Sequence, residues 1–358
     1  MSELTNTRSN RNDFRGLLRT TASAATLLAS VCTVKAADGD SDHSPLWIEL
    51  GGQFTQTIDK QEAFLPPFVL TTPRPPYVTV SPTEFEKAAP SSWDGTAKIA
   101  FEPTGTVWAF SATILYGKSG RNKYLNEETA HPTTGGFNYI AHQDFAVKSS
   151  KSHTILDFHA GRDVGLGMFG SGGSSMVSLG VRYAQFNARN TAGIQSQPTN
   201  VSNYNARHTF QGTFSAARKF IGIGPSLAWD ASANLVGNPS AGSISFDWDM
   251  NGAVLFGRQR MRGHHQTTNI YHYGVSGVFG RQRLVYQTSA SPNRNKQVIV
   301  PSVGGFAGVS WRYPNAKISA GYRADFFFGA MDGGIDVAHR ENVGFYGPFA
   351  SVSVGIGG

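Results

Sequence analysis

The chain has 358 residues, with 31 Lys and Arg against 24 Asp and Glu, a formal charge of +7 with histidine neutral, 41 glycines and 12% aromatic residues. Charged residues make up only 15%, and a mean hydropathy of −0.25 argues against a helical membrane protein. Low charge with abundant glycine fits a β structure better than a soluble helical enzyme.

The N-terminal 36 residues read as a secretory signal. Arg8, Arg11, Arg15 and Arg19 precede the apolar, small-residue run "TASAATLLASVCTV" (21–34), and "VKA" (34–36) offers a small-residue cleavage site. The run is shorter than the roughly 20 residues of a spanning helix. Beyond position 36 there are 26 basic and 22 acidic residues, a balance of +4, scattered along the chain, so nucleic acid is not an expected partner. Cys32 is the single cysteine and lies in the signal. The mature chain is therefore expected to have no disulfide and no cysteine metal site.

A polar leader (37–45) is followed, over 46–358, by extended segments of period two. "LWIELGGQFT" (46–55) sets Leu46, Ile48 and Leu50 against Glu49 and Gln53; "SWDGTAKIAF" (92–101) sets Trp93, Ile99 and Phe101 against Asp94, Thr96 and Lys98. "VWAFSATILY" (107–116) and "MVSLGVRYAQ" (176–185) repeat the pattern, the latter with Arg182 on the polar parity. "FDWDMNGAVLF" (246–256) puts Phe246, Trp248 and Met250 on one parity and Asp247 and Asp249 on the other. Near the C-terminus Ile318, Tyr322, Phe326 and Phe328 oppose Lys317, Arg323 and Asp325. Such alternation signals strands.

Short turns are predicted at 102–106, 168–175, 219–224 and 312–316. Longer polar stretches fall at 56–91, 117–151, 188–205, 231–242, 286–297 and 331–343. The proline-rich 65–82 belongs to the first long loop, since it cannot form a central strand. Tight turns alternating with long loops predict an all-β fold, a transmembrane antiparallel up-and-down β-barrel of about twelve strands, ten to fourteen being compatible. The connector "GRQRMRGHHQ" (257–266) is the least regular part. A barrel of that size is too wide to be filled by side chains alone. The apolar parity therefore faces lipid, with Trp108, Trp229, Trp248 and Trp311 as interfacial aromatics, and the small, polar parity faces a wet lumen. A secreted β-sandwich is the soluble alternative.

The segments "TILDFHAGRDVGLGMFGSGGSSMVSLGVRYAQF" (154–186), "FIGIGPSLAWDASANLVG" (220–237) and "GYRADFFFGAMDGG" (321–334) resemble the pore-forming outer-membrane proteins related to the Legionella major outer membrane protein. The clearest echo is an acidic strand, a glycine-rich turn and a "GVRY" strand. The resemblance implies a porin-like barrel passing small solutes.

No catalytic, cofactor or metal motif stands out. "GLGMFG" (165–170) has the spacing of a dinucleotide fingerprint but is followed by turn and strand where a helix is required. His159 with Asp157 and Asp163 shares the lumen parity and reads as pore wall, since triads are recognised by geometry. His264 and His265 beside Arg258, Arg260 and Arg262 read as a solvated turn. Arg281 and Arg283 fall on the lipid parity, which calls for either a bulge or lipopolysaccharide phosphates. The expected pore-lining residues are Lys98, Asp157, His159, Arg182, Asp230 and Asp247, together with Asp249, Arg312, Lys317, Arg323 and Asp325. Their order suggests an acidic arc facing a more basic one.

The expected function is a porin-like channel in the Gram-negative outer membrane, allowing passive diffusion of small hydrophilic solutes. Outer-membrane lipids including lipopolysaccharide would be its partners, no cofactor or enzyme activity is expected, and self-association into a homo-oligomer stays open. The alternatives are a barrel enzyme acting on envelope lipids and a plugged surface or adhesion barrel.

Overall fold

The computed structural model describes residues 46–58, 91–103, 106–132, 138–164, 174–198, 206–238, 242–274, 281–334 and 337–356. The expected signal (1–36) and leader (37–45), the proline-rich stretch 65–82 and "GLGMFG" lie outside these residues, as do the side chains of Arg281 and Arg283.

The described residues form strands without helices. They are β1 (Leu46–Ile58), β2 (Ser91–Phe101), β3 (Trp108–Pro132), β4 (Asn138–Asp163), β5 (Ser174–Pro198), β6 (Ala206–Asn238), β7 (Gly242–Gly274), β8 (Arg281–Ala290), β9 (Asn293–Tyr313), β10 (Ala316–Asp332) and β11 (Arg340–Ile356). All pairings are antiparallel, running β6-β5-β4-β3-β2-β1-β11-β10-β9-β7, and β6 closes on β7. Ten strands make the closed barrel, and β8 stays outside it, paired only along the upper end of β7 (His265–Gly274).

Ten is the lower end of the expected ten to fourteen and two fewer than the central twelve, and the two absent strands have a physical cause. The expected turn at 219–224 and the connector 257–266 are both strand interior, paired with one another from Lys219↔Arg260 to Ile223↔Phe256. The glycines that read as turn signals serve close approach instead. A Cβ at Gly224 would overlap the backbone carbonyl of Val254 on β7. Likewise 188–198, most of 231–242 and most of 286–297 are strand, not loop.

The outer face is apolar in a band. Trp108 is 51% exposed, Phe158 58%, Leu179 69%, Val181 45% and Phe256 57%, a pattern suited to lipid and costly in water. Trp229 and Trp248 pack edge to face at 6.1 Å on adjacent strands. β6 and β7 have 33 residues each, about 110 Å along the strand. A membrane crossing needs only about 9–11 residues, so both strands run well past the apolar band on the side opposite the short 239–241 connection.

The inward parity is small and polar only over part of this length. Higher up it carries Leu115, Ile155, Phe186, Phe220, Leu255, Val300, Phe327 and Phe345, each at most 4% exposed. Phe186 of β5 meets Phe327 of β10 at 4.7 Å and Phe345 of β11 at 5.5 Å. Neither is a neighbouring strand of β5, so the rings pack across the lumen. The small, polar lumen expected throughout is thus interrupted by an apolar layer. A narrower ten-strand barrel explains it, because its interior is small enough for side chains to bridge.

Candidate functional site in the lumen

Below the aromatic layer the lumen opens into a cavity of about 1120 Å³. Its lining stops beneath the rings. On β4 it reaches Asp157 but not Ile155, on β5 Arg182 but not Ala184, and on β11 Phe349 but not Phe345. The wall carries five cationic side chains (Lys98, Arg182, Arg312, Lys317, Arg323) and six acidic ones (Glu49, Glu102, Asp157, Asp230, Asp247, Asp249). Such a density of charge belongs to a hydrated space, since burying isolated charges in an apolar medium is prohibitive.

Ten of the eleven residues expected to line the lumen do line this cavity: Lys98, Asp157, His159, Arg182, Asp230, Asp247, Asp249, Arg312, Lys317 and Arg323. Asp325 also points inward, but it is 1% exposed and bound to Arg323 Nε at 2.9 Å. The charges meet in pairs and do not stand apart as two arcs. Asp247 of β7 receives Arg312 Nη2 of β9 at 2.7 Å and Lys317 Nζ of β10 at 2.6 Å. Lys98 of β2 reaches Asp230 of β6 across the lumen at 3.7 Å. Asp249 accepts from Asn251 Nδ2 at 3.2 Å.

At the cavity's end, beside the aromatic layer, Arg182 donates Nε and Nη2 to the two carboxylate oxygens of Asp157 at 2.7 and 2.9 Å. The register Asp157↔Arg182 and His159↔Gly180 gives the "LGVRY" motif its meaning. Arg182 sits opposite its carboxylate, and a Cβ at Gly180 would overlap the His159 ring. The imidazole thus lies over β5 and reaches Ser226 of β6, Nε2 to Oγ at 2.9 Å. Gly117 of β3 does the same one level higher, leaving room for Asp94 of β2 and His153 of β4 to meet at 3.0 Å. His153 stacks on Phe345 at 3.8 Å between centroids, coupling this pair to the aromatic layer.

Ser226 escaped the sequence reading because strand spacing cannot show which residues meet across an intervening strand. The pair lacks the orienting carboxylate of a hydrolase triad from the nearest candidate, because Asp157 gives both oxygens to Arg182. Trp47, Phe306 and Phe349, also unforeseen, line the cavity. Parity alone points all three inward. Among the described residues no group of three or more His, Cys, Asp or Glu is placed to hold a metal ion.

The model of one protein family matches residues 123–356, from the upper part of β3 to the end of β11. Its description is the Legionella pneumophila major outer membrane protein precursor. The chain belongs to this family. Membership and fold together make it an outer-membrane β-barrel, as the "GVRY" resemblance implied. No curated protein matches the chain. Among solved structures it is similar to the translocator domain of the autotransporter NalP from Neisseria meningitidis, at 9% identity and a TM-score of 0.21, over 96% of this chain and 97% of that one. It is also similar to the transport unit of the autotransporter AIDA-I from Escherichia coli, at 8% identity and a TM-score of 0.25, over 93% and 97% of the two chains. A third similarity is to the P. putida toluene transporter TodX, at 8% identity and a TM-score of 0.18, over 88% and 91%.

Proposed function

We propose that the barrel is a porin-like channel for small hydrophilic solutes, gated at its aromatic layer. The observation that carries this reading is the charged cavity: five cationic and six acidic side chains line one space inside the barrel. Rings of opposed charge in a narrow lumen orient dipolar solutes and tune ionic selectivity. With the short connections facing the periplasm, the cavity is a periplasmic vestibule, and the cross-lumen contacts of Phe186, Phe327 and Phe345 form its gate.

The same aromatic layer favours a second reading, a permanently closed surface barrel. Planar-bilayer recording on the folded full-length protein separates the two. The channel reading predicts brief openings whose reversal potential shifts in a salt gradient. Silence over a range of voltages and protein concentrations favours the closed barrel. The enzyme alternative has the His159–Ser226 pair as its best candidate; release of a lipid product that disappears in His159→Ala would revive it.

A further inference from the structure

Arg258, Arg260 and Arg262, predicted to lie in a turn, stand on the outer face of β7 instead. All three are exposed, and the intervening Gln259 and Met261 point inward at 4% and 0% exposure. Phe256, 57% exposed, belongs to the apolar band and sits one outward position below Arg258. The arginine ladder therefore begins where the band ends, on the side away from the short 239–241 connection.

The neighbouring strands extend the ladder into a patch. Lys219 of β6 is directly opposite Arg260, and on β5 the exposed Arg189 lies two residues beyond Asn187, the partner of Lys219. Among the described residues no carboxylate pairs with these charges. β5 contains no Asp or Glu, and neither do residues 206–229 of β6 or 250–274 of β7. Among the described residues, Arg258, Arg260 and Arg262 make no ion pair or side-chain hydrogen bond. Like charges opposite one another on paired strands destabilise a sheet, so the arrangement calls for an anion from outside the chain.

We infer that this patch binds the phosphates of the outer-leaflet glycolipid, lipopolysaccharide. The chemistry fits on both sides of the boundary. Acyl chains lie along Val181, Ile223 and Phe256, and the phosphorylated glucosamine headgroup meets guanidinium groups, which bind phosphate through two parallel N–H donors. An anionic polymer in solution would need the charges without the apolar band beneath them. The inference rests on the outer-membrane placement and is independent of whether the barrel conducts.

The test uses the folded full-length protein in zwitterionic detergent, with bound lipid counted by native mass spectrometry. The probes are bisphosphorylated lipid A and the same lipid after enzymatic dephosphorylation. Wild type is expected to retain lipid A, and the triple variant Arg258→Gln, Arg260→Gln, Arg262→Gln to bind it at least tenfold more weakly. The corresponding triple lysine variant should keep intermediate affinity, and the dephosphorylated lipid should not be retained. If the triple glutamine variant fails to fold, judged by heat-modifiable mobility, Arg260→Gln alone should weaken binding about threefold. Unchanged binding by a folded glutamine variant, or equal retention of the dephosphorylated lipid, would overturn the inference. So would displacement of lipid A by millimolar inorganic phosphate or by a single-stranded oligonucleotide, which would identify a free-anion or nucleic-acid site.

Discussion

Asp157→Asn tests how the lumen tolerates its own charges. Arg182 is 1% exposed and Asp157 6%, and two bonds of 2.7 and 2.9 Å join them. Losing the carboxylate leaves the guanidinium with Ser302 Oγ at 3.5 Å as its other partner. Each charge-assisted bond contributes about 1.5–3 kcal/mol, and breaking one side of a buried pair costs about 3–5 kcal/mol because the other charge is stranded. Asparagine still accepts one hydrogen bond, so the expected loss is about 3 kcal/mol, near the bottom of that range. The assay is urea unfolding of the barrel refolded in lipid vesicles, followed by tryptophan fluorescence. Removing both charges, Asp157→Leu with Arg182→Met, should cost much less than Asp157→Asn alone, since no stranded ion remains. A folded Asp157→Asn barrel within about 0.5 kcal/mol of wild type, the range of an ordinary surface change, would show that no charge is stranded.

Replacing Asp247 and Asp249 together by Asn leaves Arg312 and Lys317 without their shared carboxylate, so the reversal potential in a salt gradient should move toward anions; an unmoved potential in a conducting channel would remove these carboxylates from the pathway. Val181→Arg on the lipid face should cost about 2–4 kcal/mol if near the bilayer midplane, whereas the same change at Gln185, further up β5 and opposite the uncharged Ile221 and Thr154, should cost about 0–1 kcal/mol. Equal losses in urea unfolding would contradict the placement of the band. An epitope inserted in 133–137, between β3 and β4, should be labelled on intact cells; labelling only after permeabilisation would invert the topology.

Much of the barrel was legible because a strand's period of two survives in the sequence wherever one face meets lipid and the other water. Leu179 and Val181 against Arg182, and Met250 against Asp247 and Asp249, carry that contrast. It fades where β6 and β7 leave the apolar band. There the outer face becomes Lys219 and Arg258 to Arg262 while the inner face gains Phe220, Leu255 and Met261, so polarity reverses without a change of parity. That inversion imitates a turn and produced the two surplus strands. The aromatic layer was hidden for the same reason. Phe327 sits between two outward phenylalanines, Phe326 and Phe328, and Phe345 precedes the outward Tyr346, so neither stood out from its neighbours. Cross-lumen pairs such as Lys98–Asp230 and His159–Ser226 depend on barrel size and on gaps such as Gly180. One-dimensional spacing does not encode them.

The proposed channel depends on the rings of Phe186 and Phe327 gating a lumen that is otherwise hydrated. The direct measurement is single-channel recording of Phe186→Ala with Phe327→Ala beside wild type, under identical salt and lipid. Each buried ring removed costs about 3–5 kcal/mol of stability, and because the two rings touch at 4.7 Å the joint cost should fall short of the sum. Refolding must therefore be verified by heat-modifiable mobility first. Under such gating, wild type opens briefly and the folded double variant stays open with a larger unit conductance. A folded double variant indistinguishable from wild type in conductance and open time would contradict it.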